Sequence, residues 1–468
     1  MNEQLNTFRE KSFWLDEDYT PNASLESNID VDVAIIGGGF TGLSAAYFLK
    51  KEDPDLKIGL FERDVIGYGA SGRNGGFSMT LLAENAMELL RFAGSLEAAR
   101  NAHQYMRDAV DHVDSMVREY GLKCDYEKNG LITVALNPAD IKKMQKYVET
   151  YKKLGSECEF LDRDEVRKRF NTDAFYGAHY DKHCAILNPA KLCREMKRVI
   201  EDMGVEVFEG VSVNGYDEGE TVRIRTAGGS ISAKTMVMAT NAFSTKLDWK
   251  YAKLAIPVFT YIVLTEPLTD AQYESIGWKG REGIETSQSM INYFRLTADN
   301  RIAMGGGDAL YFYNDDLEHD QDTYAFDVAF KDLIHFFPQL EGIKITHKWG
   351  GPVFMNMEWI PSFGRMGDYG NIIYSMGYSG HGVAGANYSG SLIRDVYFNN
   401  EDRLKELFFK DYKTPWYRGG IIMNARWLRW IGFKATIAWM KRMDNKAVKS
   451  LEDPADRAYY LKKRFTKQ

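Results

Sequence analysis

The pattern Gly37-x-Gly39-x-x-Gly42, placed between two runs of different period, constrains this chain more than any other feature. Before it, Val31 to Ile36 is apolar and β-branched, as a buried parallel strand requires; after it, Leu43, Ala46, Tyr47 and Leu49 recur at helical spacing. Gly37 serves the tight turn, Gly39 lets the backbone approach a pyrophosphate, and Gly42 allows the helix to pack closely on the strand. Phe40 and Thr41 then open the helix, whose unpaired N–H groups and positive dipole end attract phosphate. A second strand, Lys57 to Phe61, ends in Glu62, twenty residues beyond Gly42, where a carboxylate accepts hydrogen bonds from a ribose diol. The combination predicts a dinucleotide site for NAD or FAD rather than NADP, whose 2′-phosphate an acid would repel.

Other classes are excluded by composition. With 41 Gly, 11 Pro and 4 Cys in 468 residues, the chain is neither a disordered segment nor a disulfide scaffold. Cys124, Cys158, Cys184 and Cys193 show no metal-ligand spacing, so structural thiols in a reducing compartment and no metal are expected. A net charge of −7 argues against nucleic-acid binding. Residues 1–18 lack the pattern of a secretory signal, and no apolar run is long enough to span a membrane, which points to the cytoplasm.

Shortly after Glu62 and Arg63 comes Gly67-Tyr-Gly-Ala70-Ser71-Gly-Arg73-Asn74-Gly75-Gly76, material for a loop whose backbone lies against a flat ligand. With the first motif, this stretch resembles the glycine oxidase / D-amino-acid oxidase (DAO) superfamily of FAD-dependent amine oxidoreductases. Within it, the pattern is most similar to the gamma-glutamylputrescine oxidoreductase-like branch, which shares a Ser-x-Trp element like Ser12-Phe13-Trp14. Further matches follow in family order. The strand ending near Val213 resembles the one that meets the adenine; Ala239-Thr240-Asn241 resembles a buried strand end beside the pyrophosphate; Gly377-Tyr-Ser-Gly380-His381-Gly382-Val383 resembles the loop and helix start covering the flavin. One departure concerns the shell near the flavin: Glu358 stands where relatives carry Asp, and Asn356 and Phe354 replace commoner polar residues.

The resemblance implies a Rossmann-like α/β FAD-binding domain of the glutathione-reductase type, with an antiparallel-sheet substrate domain as an α+β insert. Its pieces are an arm over 1–29, FAD-binding segments 30–128, 180–250 and 345–400, substrate-domain segments 129–179 and 251–344, and a C-terminal helical extension over 401–468. Helical signals run from Glu84 to Tyr120 and from Ala139 to Leu154. The family's chemistry passes a Cα hydride from a neutral amine or amino acid to flavin N5, and the imine hydrolyses to an aldehyde or keto acid. Attachment sites for covalent flavin look absent: no His or Cys lies between Glu62 and Thr80 and no Cys follows Cys193, so FAD is expected to be non-covalent. There is no second strand-preceded glycine motif for a nicotinamide domain, so electrons pass to oxygen, a quinone or a carrier protein.

Candidates for orienting substrate are Arg295, Tyr261 and His381. The alternative readings are an edge Arg295 paired with Asp299, a core Tyr261, and a His381 that serves backbone geometry. The C-terminal extension interleaves Trp416, Trp427, Trp430 and Trp439 with ten Lys or Arg over 410–449 against two Asp. It suits either a helix packed on the acidic body or on a second subunit, or peripheral contact with the inner face of the cell membrane, where quinone becomes the acceptor. A third reading, from another class, is a protein that holds a dinucleotide without catalysis.

Overall fold

The computed structural model describes residues 8–248, 250–251, 254–413 and 425–447, with 451 and 458; Trp416 and Arg418 of the extension lie outside the described residues. Its first sheet has eight strands. Ile29–Ile36 lies at the centre, parallel to Ile58–Phe61 on one side and to Ser230–Met238 on the other. Glu206–Phe208 and Ile372–Met376 extend the parallel set, and Ser362–Met366 closes one edge antiparallel. The β-branched, uncharged ends of these strands are buried on both faces, as a parallel sheet covered by helices demands.

Helix α1 (Phe40–Glu52) leaves the first strand at Gly39. The continuous helical signal from Glu84 resolves into two helices, α2 (Ala86–Ala93) and α3 (Leu96–Tyr120). Gly94 ends the first in the left-handed region (φ 75°) and Ser95 Oγ caps the second by accepting from the Ala98 N–H.

The second sheet also has eight strands, mostly antiparallel, and helix α4 (Thr323–Phe336) packs on one face. Ile345–Met355 pairs along its length with Ile256–Thr265 and so belongs to this sheet. This corrects the expected 345–400 piece, which joins the first sheet only from Ser362 onward. Likewise Gly177–Asp181, which straddles the expected boundary at 180, pairs with Leu131–Ala135 in the second sheet. Alternation sorts the residues cleanly: Ile132, Val134, Tyr261, Ile284 and Phe294 face α4, whereas Leu131 turns toward the first domain's core.

Helix α5 (Gly382–Tyr397) crosses α1 at close range. Ser44 Oγ donates to the Asn387 carbonyl and accepts from the Gly390 N–H at 3.1 Å. A Cβ at Gly390 would lie 2.2 Å from the Ser44 carbonyl oxygen, so only glycine permits this crossing.

Helix α6 (Arg426–Ala447) docks on the body. Arg429, 3% exposed, pairs with Asp315 at 2.8 Å, Lys441 pairs with Asp308 at 2.6 Å, and Asp444 accepts from the Ser289 and Met290 amides. No helix among the described residues is long and apolar enough to cross a membrane.

Gly390→Ala is expected to force α1 and α5 apart and to destabilise the protein by about 1–3 kcal/mol. A lowered thermal midpoint measures it; an unchanged midpoint would show that the crossing tolerates the methyl group.

Candidate functional site

The site begins at the N-terminus of α1, where Gly39 is the cap residue and contributes no side-chain acceptor. Gly37 adopts φ 110°, and a Cβ there would sit 2.8 Å from the Ala239 carbonyl, so the turn and the strand end at Ala239 are pressed together. The neighbouring Thr240 Oγ1 shares a hydrogen bond with Ser244, and Asn241 Oδ1 accepts from the Gly377 N–H at 3.1 Å. Glu62 is enclosed by protein yet keeps access to water. Its oxygens accept from the Gly38 and Asp64 amides at 2.7 and 3.0 Å, but burial outweighs those donors and pushes the carboxyl up to about 7. Arg63 pairs with Asp64 and lies over the Phe243 ring at 4.6 Å. The Val211 amide donates to the Glu62 carbonyl at 2.8 Å, and Val213 begins an edge strand two residues on.

The Gly67–Gly76 loop is held from outside. Ser12 Oγ donates to the Gly72 carbonyl (2.7 Å), Trp349 Nε1 to that of Arg73 (2.8 Å), Trp14 Nε1 to that of Asn74 (2.9 Å), and the Leu187 N–H to that of Gly76 (2.9 Å). Ser71 Oγ accepts from the Phe40 N–H, tying the loop to the first turn of α1. The Asn74 side chain braces the loop internally, bonding to Ala70, Ser71 and Gly76. The Arg73 guanidinium is turned away to Asp320 at 2.9 Å.

The second sheet roofs this loop. Tyr293 pairs with Gly305 and Glu285 in register, so all three share one face, and a Cβ at Gly75 would lie 3.1 Å from the Tyr293 ring. Tyr293 donates to Thr260 Oγ1 on the same face. Tyr261 therefore lies on the opposite face; its hydroxyl donates to the His319 carbonyl and its ring packs on Phe326 of α4. Of the two readings of Tyr261 this is the core one, and it takes the residue away from the face that meets the loop; because the apolar run Pro257 to Leu264 is buried on both faces, only the pairing fixes its parity. Arg295 does face the first domain and is 1% exposed. It donates to the Leu187 carbonyl at 2.6 Å and lies over the Trp14 ring at 5.3 Å, while Asp299 pairs with Arg301. Burial pushes its guanidinium down to about 10. The structure thus makes Arg295 a brace between loop and roof, distinct from both expectations.

His381 caps α5 without a side-chain bond, and its Nδ1 is buried with no protein partner among the described residues. Burial pushes the imidazole down to about 4, so it is neutral at ordinary pH and offers a donor and a lone pair rather than a charge. Gly380 before it has φ 93°, and Val383 is buried in the first turn. Tyr378 joins the two helix starts, its hydroxyl within 2.9 Å of Thr41, Ser375 and Ser389. In the divergent shell, Asn356 braces the turn through Ile360, Trp359 lies 5.6 Å from the His381 ring, and Glu358 keeps a buried oxygen without a partner among the described residues.

Compared with known proteins, the chain matches the family described as DAO, FAD dependent oxidoreductase, over residues 32–396. It is 31% identical to the gamma-glutamylputrescine oxidoreductase of Escherichia coli, covering 82% of this chain and 88% of that protein. It is 30% identical to a probable oxidoreductase, OrdL, of Haemophilus influenzae, covering 84% and 88%. Among solved structures, L-proline dehydrogenase from P. horikoshii aligns with TM-score 0.70 at 18% identity, over 86% of this chain and 99% of that one. Glycine oxidase from Geobacillus kaustophilus aligns with TM-score 0.66 at 18% identity, over 79% and 95%.

The residues present fit FAD. Two helix starts lack side-chain caps, Glu62 is a buried carboxylate short of donors, and Gly39 stands open where a side chain would meet only Ser71. Phosphate and ribose hydroxyls supply the missing partners.

Trp14→Phe removes the donor to the Asn74 carbonyl at a cost of about 1 kcal/mol, or roughly fivefold in FAD affinity. Titration of flavin-free protein measures it, and unchanged affinity would mean that the loop holds its shape without the arm. Glu62 binds a proton more tightly folded than unfolded, so stability of the flavin-free protein falls as pH rises from its ordinary value, 4.5, to about 7. With FAD bound, hydroxyl donors favour the carboxylate and this slope flattens; thermal melts across that range, with and without FAD, test the sign.

Proposed function

The chain belongs to the DAO family of FAD-dependent oxidoreductases, and from that membership we propose that it oxidises the carbon–nitrogen bond of a small amine or amino acid. The observation that supports the reading is that the second sheet abuts the glycine-rich loop: a Cβ at Gly75 would lie 3.1 Å from the Tyr293 ring, so the sheet face that carries Thr260, Tyr293 and Glu285 borders a flat ring lying along the loop. The bound FAD supplies the hydride acceptor. The protein's share is to hold the amine in that enclosed space, exclude water and keep the amine deprotonated, because an ammonium has no lone pair to support loss of hydride. His381, neutral above about 4, adds no positive charge that would favour that form further and no competing ionisation near neutrality. The imine hydrolyses to an aldehyde or keto acid. Similarity to gamma-glutamylputrescine oxidoreductase favours an alkyl amine.

A second reading concerns the electron acceptor and rests on α6. Its inward side carries Arg429, Phe433 and Lys441, whereas Trp427, Ile431, Trp439 and Met443 are exposed, Trp427 by 56% and Trp439 by 61%. Lys434 and Arg442 stand on the same outward arc. Tryptophans flanked by cations match an anionic lipid surface, and a protein held there passes electrons to quinone.

Anaerobic mixing with a panel of amines and amino acids is expected to bleach the flavin spectrum with one class, at a rate that rises with pH toward the pKa of the bound amine. Bound flavin that no amine reduces would overturn the proposal. Readmitted oxygen separates the acceptors, and sedimentation with phosphatidylglycerol vesicles, but not phosphatidylcholine ones, is the result expected of the membrane reading; Trp439→Glu abolishes it.

A further inference from the structure

The roof holds a carboxylate that the mechanism above does not use. Glu285 stands on the strand Gly283–Thr286, flanked in register by Tyr293 on one side and Thr133 on the other. Its face is the one turned to the first domain. Gly283, two residues earlier, has no room for a Cβ because Phe77 and Ile186 would meet it at 2.7 and 3.2 Å. Glu285 is surrounded deeply enough that burial pushes its carboxyl up to about 7, yet the side chain keeps access to water. A group with both properties lines an internal cleft rather than the outer surface.

The carboxylate has one protein donor, Thr133 Oγ1 at 2.9 Å, and it forms no ion pair among the described residues. The groups around it offer no positive charge. Burial keeps the hydroxyls of Tyr293 and Tyr151 protonated, and it pushes His179, across Thr133 in register, down to about 4. Tyr151, 4% exposed, has a buried hydroxyl with no partner among the described residues; it stacks on His179 at 5.1 Å, and Glu285 is the charged group that acts on it most strongly. An enclosed acid, an unpartnered hydroxyl and aromatic rings with no basic residue make a site short of one cation.

We infer that Glu285 is a substrate-binding residue that receives a positively charged group of the substrate, so that the enzyme takes alkyl amines bearing a cationic end in preference to neutral or anionic analogues. This rests on the amine-oxidising reading and deepens it. The cation held by Glu285 is the part that stays charged; the amine that loses hydride is deprotonated. A substrate with two amino groups satisfies both demands, whereas a simple amino acid places its carboxylate in the same enclosed space and is repelled unless it lies elsewhere.

The test uses the holoenzyme and a pair of unreactive isosteres, n-butylguanidinium, charged throughout, and neutral n-butylurea. Dissociation constants are read from perturbation of the flavin's visible absorption. The wild type is expected to bind the guanidinium at least about tenfold tighter than the urea, and Glu285→Gln to lose that preference while keeping its flavin. Affinity for the guanidinium tightens as pH rises through about 7 as the carboxyl ionises, and Thr133→Val, which removes the hydrogen bond favouring the carboxylate, moves that midpoint upward. A wild type without the preference, or an E285Q that retains it, overturns the inference. If E285Q loses its flavin, T133V decides alone, and an unmoved midpoint overturns the inference. Amines that fail to reduce the wild-type flavin would sink the proposed reaction, but the guanidinium preference is read independently of turnover.

Discussion

The structure depends on a loop that cannot hold itself. Gly67–Gly76 has five glycines, and its only regular structure is one turn of 3₁₀ helix. Beyond the bonds that Asn74 makes within it, the carbonyls of its second half, Gly72, Arg73, Asn74 and Gly76, are fixed by donors from distant parts of the chain: Ser12 and Trp14 of the arm, Trp349 of the second sheet and Leu187 of the strand-to-helix connection. Arg295 reaches the same junction through the Leu187 carbonyl and stacks on Trp14, which meets Trp349 edge-on at 6.1 Å. The surface offered to a flat ligand is therefore preorganised by a ring of indoles and one guanidinium, and the arm is part of the site although no ligand need touch it.

The same arrangement sets the electrostatics. Burial moves the imidazoles of His103, His179 and His381 down to about 4, away from neutrality, and brings the carboxyls of Glu62 and Glu285 up to about 7, into it. Arg295 keeps its positive charge at neutral pH, but its Nε and one terminal nitrogen are committed to the backbone carbonyls of Leu296 and Leu187 rather than to a carboxylate. Such a lining favours a ligand that brings positive charge at one end and tolerates a neutral amine at the other. It also separates the two carboxylates by role, since Glu62 faces the nucleotide end through Gly38 and Glu285 lies in the roof.

What was legible in the sequence was local. The glycines at 37, 39 and 42 and the acid at 62 act within one strand–helix–strand unit, so spacing alone places them. Tyr261, Arg295 and Glu285 depend on which face of a strand meets which domain. Alternation cannot supply that where both faces are buried, as along Ile256–Thr265, and a lone acid in Gly-Ile-Glu-Thr carries no motif at all. The bond from the Val211 amide to the Glu62 carbonyl, which ties this stretch to the end of the second strand, likewise has no sequence signature. The place of Ile345–Met355 in the second sheet is hidden for a related reason: its partner strand lies about ninety residues earlier, a pairing that no local pattern records.

The C-terminal helix is docked on the body by one side and leaves the other exposed. Cations interleaved with tryptophans allowed either packing on the acidic body or contact with lipid; the packing is what the described residues display, on one face of the helix. Arg429 and Lys441 meet Asp315 and Asp308, and Asp444 anchors the far end, so the inward side is fastened by ion pairs at buried acids. A helix fixed in this way cannot rotate to hide its other side. Trp427, Ile431, Trp439 and Met443 are then held outward by the same pairs that hold the rest inward, and the apolar arc is a consequence of the docking rather than an alternative to it.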